Sequence, residues 1–180
     1  MRVTVSLLLL VITGAAFSDE PRHEELVDSA VWSELRPHYE PELCGPIALF
    51  CVCKYYGIQT TIDELATICG RQARGVTVAD IVRAAGVMGL TAGAYKSSIS
   101  HLRTLGGPAI VDYPRGHYSV FLGWEGNQMR ILDPPKEVQL KRIADFAQAW
   151  GGHVITFALP DDATNPAEGE RSTERGGDER

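Results

Sequence analysis

Two rhythms of apolar residues divide the chain. In the first half they return every three or four positions: Leu26, Val27, Ala30, Val31 and Leu35 within residues 24–35, then Ile47, Ala48, Phe50, Cys51 and Tyr55, then Val78, Ile81, Val82 and Ala85. That spacing predicts amphipathic helices. Pro37 and Pro41 separate the first helix from the second. Pro46 suits the second helix's first turn, where its missing N–H costs nothing, and Gly57 stops it. Thr61-Ile62-Asp63-Glu64 reads as a capping box opening a helix that ends at Cys69-Gly70, and Thr77 followed by Asp80 opens another that runs towards Gly86 or Gly89. A short helix is expected over residues 98–105. Beyond it the rhythm shortens. Residues 109–113, 118–124 and 128–132 are β-branched or aromatic runs that predict strands, the last two joined by a turn at Glu125-Gly126-Asn127. Residues 143–150 return to a helical pattern and 153–159 predict a last strand. Helices first and an antiparallel sheet afterwards predict an α+β fold, with N-terminal helices packed on a C-terminal sheet.

The two ends depart from this pattern. Arg2 followed by the apolar run 3–17, with small residues near its end and Asp19-Glu20 beyond, predicts a signal peptide or N-terminal anchor over residues 1–18. The run is short for a membrane span, which needs about 20 apolar residues. The expected location is therefore exported: periplasmic, secreted or tethered to a membrane through the N-terminus. Residues 161–180 are rich in Asp, Glu, Arg, Gly, Thr and Asn with little to bury, which predicts a disordered tail. One domain over residues 19–160 remains, within the size range of a single core. The net charge of −6, without a basic stripe, argues against nucleic acid as a partner.

Export makes the four cysteines informative, since an oxidising compartment permits disulfides. A bridge between Cys69 and either Cys51 or Cys53 is compatible with adjacent helices, and the sequence does not choose between them. Cys51-Val52-Cys53 is too tight for a zinc pair and no second pair follows at zinc spacing, so no metal and no other cofactor is expected.

Cys44 differs from the other three in standing where a helical pattern begins. A helix N-terminus lowers a thiol's pKa, and an imidazolium partner lowers it further. Gly45 is expected to leave the backbone clear for a substrate chain, and the Cys44 N–H to point at a developing oxyanion. His117 opens a strand after Pro114-Arg115-Gly116, where an imidazole could take and return a proton. Asp133 ends the next strand. Because His117 and Asp133 are about equally far from residues 125–127, the hairpin predicts them nearly opposite, within roughly 5 Å at Cα. The acid would then orient the base, as in other triads. Taken singly, a buried Cys, a His before a strand and an Asp-Pro turn are ordinary features; their order and the hairpin symmetry set them apart. Asp112 is a lesser candidate for a supporting acid, while His101 and His153 read as structural.

These residues resemble the double-glycine leader peptidases, papain-like domains found at the N-termini of bacteriocin-exporting ABC transporters. The matching pieces are Cys44-Gly45-Pro46 with Ala48-Leu49, Tyr56-Gly57, Ile62-Asp63-Glu64-Leu65, Gly75-Val76-Thr77, Ala84-Ala85 with Gly89-Leu90, Pro108-Ala109-Ile110, His117-Tyr118-Ser119-Val120 and Asp133-Pro134. The resemblance implies a papain-like cysteine peptidase fold, with Cys44 as nucleophile, His117 as base and Asp133 as orienting acid, cleaving peptides after paired glycines. Where that family carries a Gln six residues before the Cys as an oxyanion donor, this chain has His38, flanked downstream by Glu40 and Glu42. Losing one such donor typically costs about 2.7–4 kcal/mol in the transition state. The 180 residues contain neither a transporter's membrane domain nor a Gly-rich ATP-binding loop, and the export signal departs from that family's cytosolic setting. The sequence thus predicts a stand-alone, exported cysteine peptidase acting on peptide or protein segments. The alternatives are a non-catalytic peptide-binding module of the same fold, or another acyl transfer on the same three residues.

Overall fold

A computed structural model describes residues 40–70, 75–114, 116–134, 136 and 138–160. The predicted segment 1–18, the helix over 24–35, His38 and the tail 161–180 lie outside the described residues. A 3-10 turn, Pro41–Leu43, leads into α1 (Cys44–Tyr55), then α2 (Ile62–Cys69), α3 (Val78–Val87), β1 (Thr91–Lys96), α4 (Ile99–Leu102), β2 (Ala109–Tyr113), β3 (His117–Glu125), β4 (Gln128–Leu132), β5 (Val138–Arg142), α5 (Ile143–Ala149) and β6 (His153–Ala158). The six strands form one antiparallel sheet in the order β1-β6-β2-β3-β4-β5. The α+β architecture is the one expected from the sequence, and no helix among the described residues is long and apolar enough to cross a membrane.

Strand alternation sorts the core into two layers. On one face Ile110, Tyr118, Val120, Leu122, Leu132 and Ile155 pack with the buried side chains of α1, α2 and α3. On the other, Ala109, Val111, Phe121, Met129, Ile131 and Val154 pack with Leu102 of α4 and Phe146 of α5. Helix α1 is the centre of the first layer: every residue from Cys44 to Cys53 is buried. A helix apolar all round belongs in a core.

The helix ends are closed by local chemistry. Thr61 Oγ1 accepts the Glu64 N–H at the start of α2, but the Glu64 carboxylate turns to Thr60 Oγ1, so the expected capping box is half made. The full box stands at α3, where Thr77 Oγ1 accepts the Asp80 N–H and Asp80 Oδ2 accepts the Thr77 N–H. Arg83 of α3 donates to the carbonyls of Ile68 and Cys69, satisfying acceptors that the end of α2 would otherwise leave orphaned.

Three expectations need correction. Strands β1 and β5 were not predicted. Both are edges, and neither shows a buried face: the side chains of β1 are exposed throughout except at Ala92, and those of β5 are exposed or half-buried. No disulfide joins Cys69 to Cys51 or Cys53, since all four cysteines are buried thiols. Beyond burial, Cys53 feels the charge of Glu64, in the first turn of α2, and then that of Cys69, whereas Cys69 feels Asp80 and Arg83 of α3; the two thiols are neighbours left unjoined. The third correction concerns the hairpin. Glu125 pairs with Gln128 across a turn of Gly126 and Asn127, with Gly126 at φ +57°. A register shift between Phe121 and Gly123 then sets Val120 opposite Leu132. Continued by one residue, that register brings Ser119, not His117, level with Asp133.

Candidate active site

Cys44 is the first residue of α1 and only 5% exposed. Its position is set by shape. A Cβ added at the next residue, Gly45, would lie 2.4 Å from Val76 Cγ2, 3.2 Å from Ile81 Cδ1 and 3.3 Å from Tyr118 Cδ2. Gly45 therefore lets the mouth of α1 seat against α3 and β3; it faces the core and clears no path for a substrate, contrary to the sequence expectation. Tyr118 Oη donates to the Val76 carbonyl at 3.2 Å and locks the same contact. The Cys44 N–H donates to the Pro41 carbonyl within the 3-10 turn, so it is engaged and not directed at an oxyanion. The thiol lies 3.8 Å from the carbonyl of Gly116, immediately before β3.

His117 opens β3 at the end of the sheet nearest that thiol. Its Nε2 donates to Asp133 Oδ1 at 2.6 Å, since a carboxylate can only accept. This bond reaches diagonally across the strand pair, which explains why an imperfect register still joins the two residues. With Nε2 engaged, Nδ1 is the nitrogen left for the thiol, and the Cys44 side chain stands close enough to raise the pKa of the imidazole. Behind the ring, Tyr113 lies 6.0 Å away, itself edge-on to Phe146. The hydrogen bond to Asp133, then that to Cys44, push the His117 pKa up to about 9. Burial alone would raise the pKa of Asp133, but hydrogen bonds from His117 and Ser119 and the nearby charges of His117 and Lys141 outweigh it and hold the carboxyl below its ordinary range.

Around Asp133 the structure adds residues that the sequence reading passed over. Ser119 Oγ donates to Asp133 Oδ1 at 2.8 Å and is completely buried. Lys136 Nζ and Lys141 Nζ lie 3.8 and 3.9 Å from Oδ2. Lys141 also stands over the Tyr113 ring, 5.5 Å from its centre. Ser119 was accessible in principle: it is two residues from His117 in a strand and so shares its face. Lys136, three residues after Asp133, was within local reach as well; Lys141 was not, because β5 escaped prediction.

The remaining candidates fall elsewhere. Asp112 pairs across the sheet with Tyr118 and His153 and so sits on the opposite face from the His117–Asp133 pair; burial raises its pKa and His153 pulls it back. His101 Nε2 meets Tyr95 Oη at 3.0 Å on the surface. The thiols of Cys51 and Cys53 are pushed up to about 12, and that of Cys69 to about 11, chiefly by burial. Among the described residues no group of His, Cys, Asp or Glu could hold a metal ion.

A thiol at a helix mouth, facing an imidazole and a carboxylate on an antiparallel sheet, defines the class of papain-like cysteine peptidases. Comparison with known proteins narrows it: residues 36–162 match the model of the Peptidase C39 family, and the chain belongs to that family. An uncharacterized protein of Methanothermobacter thermautotrophicus is 30% identical over 123 residues, covering 66% of this chain and 84% of that one. The lactococcin-G-processing and transport ATP-binding protein LagD of Lactococcus lactis is 26% identical over 130 residues, 65% of this chain but only 17% of the transporter. Among solved structures, the peptidase domain of Streptococcus ComA superposes with a TM-score of 0.64 at 30% identity, covering 70% of this chain and 98% of that domain. A double glycine motif protease from an AMS/PCAT transporter, solved in complex with the leader peptide, gives a TM-score of 0.63 at 26% identity, covering 67% of this chain and 86% of that one.

Proposed function

We propose that this cysteine peptidase hydrolyses peptide bonds through Cys44 as nucleophile, His117 as proton carrier and Asp133 as the acid that orients it. The observation that carries the reading is that His117, bonded to Asp133 Oδ1 at 2.6 Å, also feels the Cys44 side chain, whose thiol meets the carbonyl of the preceding residue, Gly116, at 3.8 Å. With its pKa raised to about 9, His117 holds its proton at neutral pH, the state required to donate to a leaving amine. The Cys44 sulfur attacks the scissile carbonyl carbon, and the tetrahedral adduct collapses as His117 gives its proton to the amine. Water, deprotonated by the now neutral imidazole, then attacks the thioester; the carboxyl product leaves and the thiol–imidazole pair is restored. The substrate proposed is an extended peptide segment, with paired glycines before the cut as in the double glycine motif relative. Residues 1–18 as an export signal or tether would put this chemistry outside the cytosol.

A second reading, peptide binding without cleavage, is favoured by one observation: the Cys44 N–H is already spent on Pro41. A thiol probe separates the two. Iodoacetamide at neutral pH should label wild-type protein fast, Cys53→Ala equally fast, and Cys44→Ala no faster than background. Peptide turnover should fall by about 10⁴-fold or more in Cys44→Ala. A Cys44 that reacts no faster than an ordinary thiol removes the enzymatic reading. Fast labelling without turnover supports the binding module, and recovery of turnover in His38→Gln would trace the defect to the oxyanion side.

A further inference from the structure

Asp133 is pulled from two sides. Its Oδ2 faces the ammonium groups of Lys136 and Lys141 at 3.8 and 3.9 Å, while its Oδ1 must stay on His117 Nε2. The strand register does not hold it there. Residues directly opposite in an antiparallel pair are about 5 Å apart at Cα, whereas diagonal neighbours are about 7–8 Å apart, and His117 is on the diagonal. The residue level with Asp133 is Ser119, whose hydroxyl meets Oδ1 at 2.8 Å and has no solvent exposure. It is the only buried polar residue among the described ones. A hydroxyl there costs stability unless it is hydrogen-bonded, and apart from a 3.5 Å approach to His117 Nε2 the carboxylate is the partner it has.

We infer that Ser119 is a positioning residue: its hydroxyl pins Asp133 Oδ1 against the imidazole and keeps the carboxylate from turning towards Lys136 and Lys141. The inference rests on the triad reading for its effect on turnover, though not for its effect on His117. A purely electrostatic role can be told apart by sign. If Ser119 only spread the charge of Asp133, its removal would concentrate that charge on Oδ1 and raise the His117 pKa. If Ser119 sets the direction of the carboxylate, its removal lets the lysines draw the group away and lowers it.

The groups bearing on His117 are Asp133, Cys44, Tyr113 and, through Asp133, the two lysines, so the test follows the imidazole itself by NMR in histidine-labelled protein. In Ser119→Ala the His117 titration should fall by about one unit from its value near 9, towards 6.5, with kcat down on the order of tenfold and KM unchanged. Ser119→Thr, which keeps the hydroxyl and suits a strand, should restore both. Ser119→Cys, close in volume but a weak donor, should fall between them and serves if the alanine variant folds poorly. A His117 titration unchanged or raised in both Ser119→Ala and Ser119→Cys overturns the inference, as does a threonine variant that titrates like the alanine one. Should wild-type Cys44 prove unreactive, the triad reading fails while the His117 titration still decides the role of Ser119.

Discussion

The mouth of α1 and the strand ends facing it are built by different forces. The thiol is placed by shape: Gly45 admits Val76, Ile81 and Tyr118 to within contact distance, and the bond from Tyr118 to the Val76 carbonyl serves the packing. The imidazole and carboxylate are placed by charge and hydrogen bonds, with His117, Ser119, Lys136 and Lys141 all converging on Asp133. Volume changes should therefore move the Cys44 thiol, and changes of charge or pH should move the His117–Asp133 pair. The same contrast runs along α1. Cys51 and Cys53, deeper in the helix, are held protonated by burial, while Cys44 meets the imidazole at the one end that reaches the strand tips.

The strongest test of the charge side is Asp133→Asn. The amide can still accept from Nε2, but it has no charge to hold the imidazolium. The alkaline limb of kcat/KM, set by His117 near 9, should move down towards 6.5, and kcat/KM at its optimum should fall on the order of 10²–10⁴-fold. Stability follows the same pair. His117 has a raised pKa, so its contribution is complete below 6.5 and disappears as pH rises through about 9. Asp133 has a lowered pKa, so its contribution is present above 3.8 and is lost as pH falls through its folded value. The melting-temperature gap between wild type and Asp133→Asn should be widest from about 4 to 6.5 and close on both sides. A gap independent of pH would show that the strand ends, too, are held by packing.

How much of this was legible in the sequence depended on which force was at work. Helical and alternating periodicities report burial, so α1, α2, α3, α5 and the central strands were readable, as were the Thr61 and Thr77 caps. The edge strands β1 and β5 bury no continuous face and left no pattern to read. Cys44, His117 and Asp133 were singled out by order and by hairpin symmetry, yet the symmetry was inexact. The two-residue turn and the shift at Phe121/Gly123 move the register, and the long imidazole bridges the difference. Gly45 was misassigned because a glycine next to a candidate nucleophile looks alike in sequence whether it faces substrate or core. Only the positions of Val76 and Tyr118, distant in sequence, decide that.

Gly45→Ala is the matching test of the shape side, and its effect should be smaller than that of Asp133→Asn. The new methyl would stand 2.4 Å from Val76 Cγ2, so the helix mouth or the segment before α3 must shift. Overpacking of this kind costs about 1–3 kcal/mol, measurable by urea unfolding. Labelling of Cys44 should slow, and the His117 limb should slip only by the displaced thiol's own share, staying well above 6.5 because the larger cause, the hydrogen bond to Asp133, is untouched. Trimming the neighbour in Gly45→Ala/Val76→Ala should return part of both losses. An alkaline limb that falls in Gly45→Ala as far as it does in Asp133→Asn would mean that the carboxylate has moved too and that the division between shape and charge is wrong.

Thr77→Ala should give the smallest effect and asks how far the packed region extends. Thr77 caps α3 immediately after Val76, and its box with Asp80 is robust to acid, the Asp80 carboxyl being lowered to about 2, first by the hydrogen bonds from Thr77. Loss of the cap should cost about 1 kcal/mol and Thr77→Ser should recover it. The cap touches neither thiol nor imidazole. However, Val76, which Tyr118 grips through its carbonyl, is the next residue, and Ile81 in the first turn of α3 completes the wall against Gly45. If the Tyr118 bond and the core contacts hold that wall by themselves, kcat/KM should stay within about twofold of wild type despite the lost stability. A larger fall in turnover, with the His117 limb unmoved, would place the cap of α3 among the supports of Cys44 and extend the shape-built side of the site to the start of that helix.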